Sequence, residues 1–215
     1  MNSHIVPPGV WLKVAGTRSA TPQAAIFLDR DGVIVEDPGY LSSAADVRLV
    51  AGAARLIAAA NAATLPAVVV TNQSGIARGY FDWDDFSNVQ QEIERQLNKD
   101  HAHLSLVVAC PFHPAFTDDY AGSHDGWRKP GPNMIRLAAE HLNIDLARSA
   151  LVGDHLTDIA AARAAGLAGA VLVLTGLGAT HVEAARRLSR PGFRVSVAEN
   201  PDDAIAPLKE FGLPI

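Results

Sequence analysis

The sequence has little of what marks secreted, membrane-spanning or disulfide-bonded proteins. A single cysteine among 215 residues forms no intrachain disulfide, which fits a reducing compartment. No apolar run approaches the roughly 18 residues that a membrane-spanning helix needs. Residues 1–23 also lack the basic start and apolar stretch of a secretory signal. These absences predict a soluble, cytoplasmic protein with no membrane partner.

Positive charge is also scarce. The chain has 18 Lys and Arg against 23 Asp and Glu, a net charge of -5. Binding to a nucleic-acid backbone needs a clustered basic surface, so we expect no nucleic-acid partner. The composition, 48% hydrophobic and 19% charged, is typical of a globular protein. The length fits one substantial domain.

Short apolar runs alternate with alanine-rich or periodic segments along most of the chain. The apolar runs, at 24–28, 67–70, 104–109, 150–153 and 170–174, predict strands, and the segments near 52–63, 83–99, 131–143 and 156–165 predict helices. This alternation predicts a doubly wound, Rossmann-like α/β fold, a three-layer sandwich around a central parallel sheet. In such folds ligands bind beyond the carboxyl ends of the strands.

The two ends of the chain carry weaker patterns. Residues 1–23, with a lone Trp11, are predicted to form an extended arm on the surface of a single domain that spans 24–215. Three further elements are predicted in the tail: a helix at 180–189, a strand at 193–197 and a helix at 201–210.

An acidic pair follows the first predicted strand of the parallel sheet. Asp29 and Asp31 stand two residues apart, where an extended chain points alternate side chains the same way. Two carboxylates facing one crevice repel each other unless a cation lies between them, and such oxygen ligands suit Mg2+. Gly32 allows a sharp turn after the pair. The alternative is an ordinary surface turn, in which Asp and Gly are common.

Polar residues also follow the other strands. The segment 71–74 can cradle phosphate oxygens with a hydroxyl and backbone N–H groups. Lys129 precedes a helix start, and Asp154 follows another strand with Asp158 one helical turn later. Taken singly, these are a polar loop, a solvated lysine and a helix N-cap. All of them, however, fall at strand ends on one side of the predicted sheet.

These motifs resemble those of the haloacid dehalogenase superfamily of phosphotransferases. The four motifs stand here as "DRDGV" (29–33), "VVVTNQSG" (68–75), Lys129 and "VGDHLTD" (152–158), and the resemblance covers roughly residues 24–175. More narrowly, "FLDRDGVIVEDPGY", "TNQSGIARGYF", "CPFHP" and "RKPGPNM" are similar to segments of the D-glycero-D-manno-heptose-1,7-bisphosphate 7-phosphatases and the histidinol-phosphate phosphatases.

The resemblance implies a role for each motif residue. Asp29 is implied as the nucleophile that forms an aspartyl-phosphate, and Asp31 as the general acid and then base. Mg2+ is implied as cofactor, bound by the Asp29 carboxylate, the Asp31 backbone carbonyl and Asp154. Thr71 and Lys129 are implied to hold the phosphoryl oxygens.

The resemblance also implies a substrate. About twenty residues separate Asp31 from the next predicted helix, too few for a large cap domain, so loops alone are expected to cover the site. The expected substrate contacts are Asp37, Pro38, Gly39, Tyr40, Asn72, Gln73, Ser74, Arg128 and His155, the last where the heptose enzymes usually carry lysine. Arg128 could bind a second phosphate, which favours a small sugar bisphosphate, and the resemblance implies hydrolysis of D-glycero-D-manno-heptose 1,7-bisphosphate at the 7-position. Histidinol phosphate and a non-catalytic, phospho-ligand-binding role are the alternatives, and a monomer is expected.

The segment 110–130 is predicted to be a specificity loop. In many relatives this loop holds a structural zinc through C-x-H and C-x-C pairs, whose positions here are Cys110, Phe112, Asp125 and Trp127. Since Phe and Trp cannot bind zinc, none is expected, and packing of the two aromatic rings is predicted to hold the loop. The alternative is a rearranged metal site made by Cys110, His113, His124 and Asp125.

Overall fold

The fold is a mostly parallel eight-stranded sheet with helices on both faces. The computed structural model describes residues 4–115 and 126–215. In chain order the strands are β1 (Ile5–Val6), β2 (Val10–Val14), β3 (Ile26–Leu28), β4 (Ala67–Asn72), β5 (Leu106–Cys110), β6 (Ala150–Gly153), β7 (Gly169–Val173) and β8 (Arg194–Ala198). Their order across the sheet is β1-β2-β5-β4-β3-β6-β7-β8, and the six strands from β3 to β8 pair in parallel. The predicted fold class is confirmed.

Helices cover the two sheet faces and make three layers. The α-helices are α1 (Ala53–Ala62), α2 (Ser74–Ala77), α3 (Trp83–Asn98), α4 (Asn133–Leu142), α5 (Leu156–Ala165), α6 (Val182–Arg186) and α7 (Ile205–Glu210). One core cluster joins α1, α3 and α7 to the sheet, and a second joins α4, α5 and α6 to its other face. In β3, Ile26 and Leu28 belong to the first cluster and Phe27 to the second, as expected for a strand buried on both sides.

The N-terminal segment is part of the sheet. The prediction of a surface arm is wrong for residues 10–14, because β2 pairs antiparallel with β5 and places Trp11 opposite Ala109. Trp11 is 1% exposed and makes an edge-on contact with Phe86 of α3, with 5.1 Å between ring centroids. A buried indole of this size adds a large apolar contact area to the core, and a loosely attached surface arm would leave that area exposed.

The tail elements form with bounds that differ from the predicted ones, and the strand predicted at 193–197 is β8, shifted by one residue. The helix predicted at 180–189 is reduced to α6, and the last predicted helix is a 3-10 turn, Asp202–Ala204, followed by α7. The short helix α2 was not predicted, because its four residues give no helical periodicity. No helix in the described ranges has the length and apolar character to cross a membrane.

The strand order places one crevice at the centre of the sheet. From β3 the chain adds β4 and β5 on one side, then returns to add β6, β7 and β8 on the other. The loops that leave β3, β4 and β6 therefore meet at the same edge, where the direction of winding changes. This is the position at which doubly wound sheets bind ligands.

Candidate active site

A cleft of about 780 Å³ opens at this switch point. All of the residues predicted for the site line it except Pro38, which is exposed nearby: Asp29, Asp31, Asp37, Gly39, Tyr40, Thr71, Asn72, Gln73, Ser74, Arg128, Lys129, Asp154 and His155. The tertiary structure thus brings residues from four separate segments into one space.

Lys129 lies at the base of the cleft between two carboxylates. Its Nζ is 2.8 Å from Asp29 Oδ1 and 2.6 Å from Asp158 Oδ1, and it donates to the Val70 carbonyl at 2.9 Å. The side chain is 2% exposed. Burial lowers the pKa of Lys129, but the two carboxylates outweigh it, and the net pKa is raised. The ammonium group is therefore charged at neutral pH, and it is paired with two carboxylates and one carbonyl oxygen.

Three carboxylates could hold a cation. Oxygens of Asp29, Asp154 and Asp158 lie within 4.8 Å of one another. Asp158 is fully buried, is already in an ion pair with Lys129 and accepts the His155 N–H at 3.0 Å, so Asp29 and Asp154 are the better placed pair. Burial raises the pKa of Asp29 well above its usual range, against the effect of Lys129, and raises that of Asp154 to about 6. Because these buried carboxylates lie close together, a bound cation would offset the repulsion between their charged forms.

Asp154 is held by a loop that the sequence patterns did not single out. Its Oδ2 accepts the Leu177 N–H at 2.9 Å. Gly32 and Gly176 have φ of 76° and 56°, and a Cβ on either would collide with that oxygen. Thr175 Oγ1 donates to the Gly32 carbonyl at 2.6 Å and joins the two loops. The polar turn after the fifth predicted strand was the available signal.

Asp31 turns its carboxylate towards Arg30 and Gln73. Arg30 Nε and Nη2 donate to Asp31 Oδ1 at 3.0 and 2.8 Å, and Gln73 Nε2 donates to Oδ2 at 2.8 Å. Gln73 Nε2 also lies 2.8 Å from Thr71 Oγ1. Because this amide N–H group donates to the threonine oxygen, the Thr71 hydroxyl keeps its own proton for another acceptor. Arg30 was missed by the motif reading.

Asn72 fixes the segment that carries Lys129. Its Oδ1 accepts the Lys129 N–H at 3.0 Å and its Nδ2 donates to the Lys129 carbonyl at 3.2 Å. This paired contact joins the end of β4 to the segment before α4. Asn72 thus contributes to the site by positioning the lysine as well as by lining the cleft.

The rim of the cleft combines aromatic rings and guanidinium groups. Tyr40 and Tyr80 are 45% and 58% exposed and touch edge-on, with 4.8 Å between centroids. Arg78 lies over the Tyr40 ring at 5.9 Å and its Nη2 is 3.3 Å from His113 Nε2. Burial lowers the pKa of Arg128, and the nearby Arg78 lowers it further. Arg128, which lines the cleft, and Arg78, which lies over the Tyr40 ring, place positive charge near this rim.

His155 forms the N-cap of α5. Its Nδ1 accepts the Thr157 N–H at 3.1 Å, and its ring meets His181 edge-on at 4.1 Å between centroids. Burial and then His181 lower its pKa. With its pKa lowered, His155 is a poorer source of positive charge than the lysine that the sequence resemblance implies at this position.

The specificity loop is described only in part. Cys110 is buried, with burial raising its pKa to about 12. Phe112 belongs to the second core cluster, and Trp127 packs against that cluster. His124 and Asp125, two members of the alternative metal site, lie outside the described residues.

Comparisons with known proteins agree with this geometry. The family model "HAD-hyrolase-like" matches residues 126–200. A D-glycero-beta-D-manno-heptose-1,7-bisphosphate 7-phosphatase of Mesorhizobium japonicum is 43% identical over 170 residues, which cover 79% of this chain and 78% of that protein. The chain belongs to the haloacid dehalogenase superfamily of phosphatases. This phosphatase is also 36% identical to a D-glycero-alpha-D-manno-heptose-1,7-bisphosphate 7-phosphatase of Burkholderia mallei, with 84% of this chain and 91% of that protein covered.

Solved structures extend the likeness. A HAD-like protein of Mesorhizobium loti matches with a TM-score of 0.85 and 35% identity, over 98% of this phosphatase and 97% of that chain. The D,D-heptose 1,7-bisphosphate phosphatase of B. bronchiseptica, complexed with magnesium and phosphate, matches with a TM-score of 0.74 and 31% identity, over 87% and 99% of the two chains. The fold and enzyme class therefore agree with the predicted family.

Proposed function

We propose that this phosphatase is Mg2+-dependent and hydrolyses D-glycero-D-manno-heptose 1,7-bisphosphate at the 7-position. The observation that carries the proposal is the convergence of Asp29, Asp154 and Lys129 at the base of one cleft. The names of the heptose bisphosphate phosphatase relatives support the substrate, and the magnesium complex of one of them supports the cofactor.

The proposed reaction has two steps. In the first, an Asp29 carboxylate oxygen attacks phosphorus, and the bond from phosphorus to the sugar oxygen breaks. The leaving oxygen keeps the bond's electron pair and takes a proton from Asp31. In the second, water attacks the aspartyl-phosphate, Asp31 recovers a proton from that water, and phosphate and free Asp29 result.

The charges around Asp29 suit this attack. A Mg2+ ion held by Asp29, Asp154 and the Asp31 carbonyl would neutralise charge between the nucleophile and the phosphate. Lys129, 2.8 Å from the nucleophile, adds a buried positive charge, and a phosphoryl oxygen there would compete for one of its N–H groups. Thr71 has a hydroxyl proton available for the same purpose.

Arg78 and Arg128 support a substrate with a second phosphate. Arg128 lines the cleft and Arg78 lies over the ring of Tyr40, which also lines it, so an anionic group bound at this rim would meet positive charge. The Tyr40 ring beside Arg78 offers a face for the sugar. A monophosphate would leave one of the two charged ends of the cleft unused.

A substrate panel tests the proposal. Phosphate release is measured with heptose bisphosphate, heptose 7-phosphate and histidinol phosphate, with Mg2+ and with a chelator. We expect the bisphosphate to have the highest kcat/KM and activity to require the metal. Asp29→Asn should abolish turnover, whereas Asp46→Asn, an exposed Asp outside the cleft, should not. Full turnover by the Asp29 variant would refute the nucleophile, and a preference for histidinol phosphate would refute the substrate.

A further inference from the structure

Arg30 is a buried cation whose anionic partner among the described residues is Asp31. The residue is 1% exposed, its guanidinium lies 5.0 Å from the centre of the Phe86 ring, and its Nη1 has no hydrogen-bond partner among the described residues. Burying a charge with one end unpaired is costly. An apolar side chain at this position would stabilise the core more than a buried charge does. Core stability therefore does not explain why the residue is an arginine.

The contacts of Arg30 immobilise the Asp31 carboxylate. Arg30 Nε and Nη2 both donate to Oδ1, and Nη2 also lies 3.0 Å from Oδ2. Gln73 Nε2 donates to Oδ2 from another segment at 2.8 Å. Each oxygen of Asp31 is thus held by a donor, yet the side chain remains 22% exposed on the cleft. The carboxylate is therefore fixed in orientation and is still accessible from the cleft.

Arg30 also decides which way the Gln73 amide points. The guanidinium can only donate, so the amide oxygen must face Arg30 Nη2, 3.2 Å away. The amide nitrogen then faces Asp31 and Thr71, with both N–H groups used at 2.8 Å. Gln73 is 4% exposed and its amide hydrogens are fully engaged inside the protein. Its side chain therefore fits a positioning role better than the substrate contact that the sequence resemblance implies.

We propose that Arg30 and Gln73 are positioning residues for the proton transfer made by Asp31. The inference rests on the proposed function, in which Asp31 gives its proton to the leaving oxygen as the phosphorus–oxygen bond breaks. Arg30 and Gln73 hold one side of the Asp31 carboxyl group. Its other side, which carries the transferred proton, then faces the cleft. Loss of either donor lets the carboxyl group rotate and weakens this transfer.

Leaving-group dependence tests the proposal. p-Nitrophenyl phosphate releases a stable anion that needs no proton, whereas benzyl phosphate, of similar size, releases an alkoxide that does. The full chain with Mg2+ is assayed for kcat/KM, which covers the steps through leaving-group departure. A general acid is worth roughly 10²–10⁴-fold, so Arg30→Met and Gln73→Met should lower the benzyl to p-nitrophenyl ratio of kcat/KM about tenfold or more.

Matched variants separate this role from a structural one. Arg95→Met removes a similar arginine fork on Glu92, and Gln96→Met removes a similar amide donor, both on α3 away from the cleft. Neither should change the ratio. If Arg30→Met does not fold, Gln73→Met decides. If kcat/KM falls by the same factor for benzyl phosphate and p-nitrophenyl phosphate, the positioning role is wrong.

Asp31→Asn separates the inference from the function on which it rests. This variant should show the largest fall in the ratio. If Asp31→Asn leaves the ratio unchanged, Asp31 is not the general acid, and the proposed mechanism fails together with the inference. If Asp31→Asn lowers the ratio but Arg30→Met and Gln73→Met do not, only the positioning role fails.

Discussion

Lys129 contributes both to the chemistry of the site and to the stability of the fold. Replacing it with methionine leaves Asp29 and Asp158 facing each other without a buried cation. Removing one partner of a buried ion pair costs roughly 3–5 kcal/mol, so we expect Lys129→Met to lower the free energy of unfolding by about that amount.

Urea unfolding at pH 7 with a chelator measures this loss. Lys13→Met is the matched control, since the Lys13–Glu94 pair is as short, 2.6 Å, but both side chains are about a quarter exposed. An ion pair that solvent reaches contributes less than a buried one, and pairs at the surface contribute about 0–1 kcal/mol. Equal losses in the two variants would contradict a special role for the buried lysine.

Asp154 gives the metal-free protein a pH dependence. Burial raises its pKa to about 6 from an ordinary 3.8. A carboxyl group with a higher pKa in the folded state contributes stability that is full below the unfolded pKa and is lost as pH rises through about 6. With a chelator present, the free energy of unfolding should therefore fall between pH 4 and 7, by on the order of 1–3 kcal/mol from this group.

The comparison with Asp154→Asn isolates that contribution, because Asp29 shifts in the same direction. The wild-type protein should be relatively more stable at pH 4 than at pH 7 when measured against the variant. A difference between the two proteins that stays constant across this range would contradict the assignment.

At the level of elements, the pairing of β2 with β5 predicts that the N-terminal segment contributes to the stability of the sheet. Trp11 is buried between the sheet and Phe86, so Trp11→Ala should lower the free energy of unfolding by roughly 3–5 kcal/mol. Val14→Ala, in the same strand but with Val14 44% exposed, should cost much less. Thermal or urea unfolding measures both. A negligible cost for Trp11→Ala would restore the surface-arm interpretation.

For the whole molecule, metal binding should be visible as added stability. A ligand that binds only the folded state stabilises it by about 2.7 kcal/mol at 100 times its Kd. For a domain of about 150–250 residues each kcal/mol raises Tm by roughly 2–4 °C, which predicts a rise of about 5–10 °C at saturating Mg2+. Differential scanning calorimetry checks this. Asp154→Asn should remove most of the rise, and an unchanged rise would place the metal elsewhere.

Much of the fold was predictable because its strands are buried on both faces. Such strands are continuous apolar runs, and all five that were predicted in the body of the chain form, with bounds that match or differ by one or two residues. β2 was missed because the lysine in "VWLKV" interrupts its apolar run and because proline and glycine stand around it in the sequence. Its place in the sheet depends on pairing with β5, about a hundred residues later, which no local pattern records.

The sequence by itself determined which chemical groups the site has. Asp29, Thr71 and Asp154 stand at the ends of predicted strands and Lys129 precedes a predicted helix, and parallel strands bring their ends to one edge of a sheet. Only the tertiary structure decided what each side chain faces. Arg30 and Gln73 look like ordinary loop residues in the sequence, but they hold Asp31, and Asp158 is bound to Lys129. The physical reason is that hydrogen bonds and ion pairs depend on distances of about 3 Å between segments far apart in the chain.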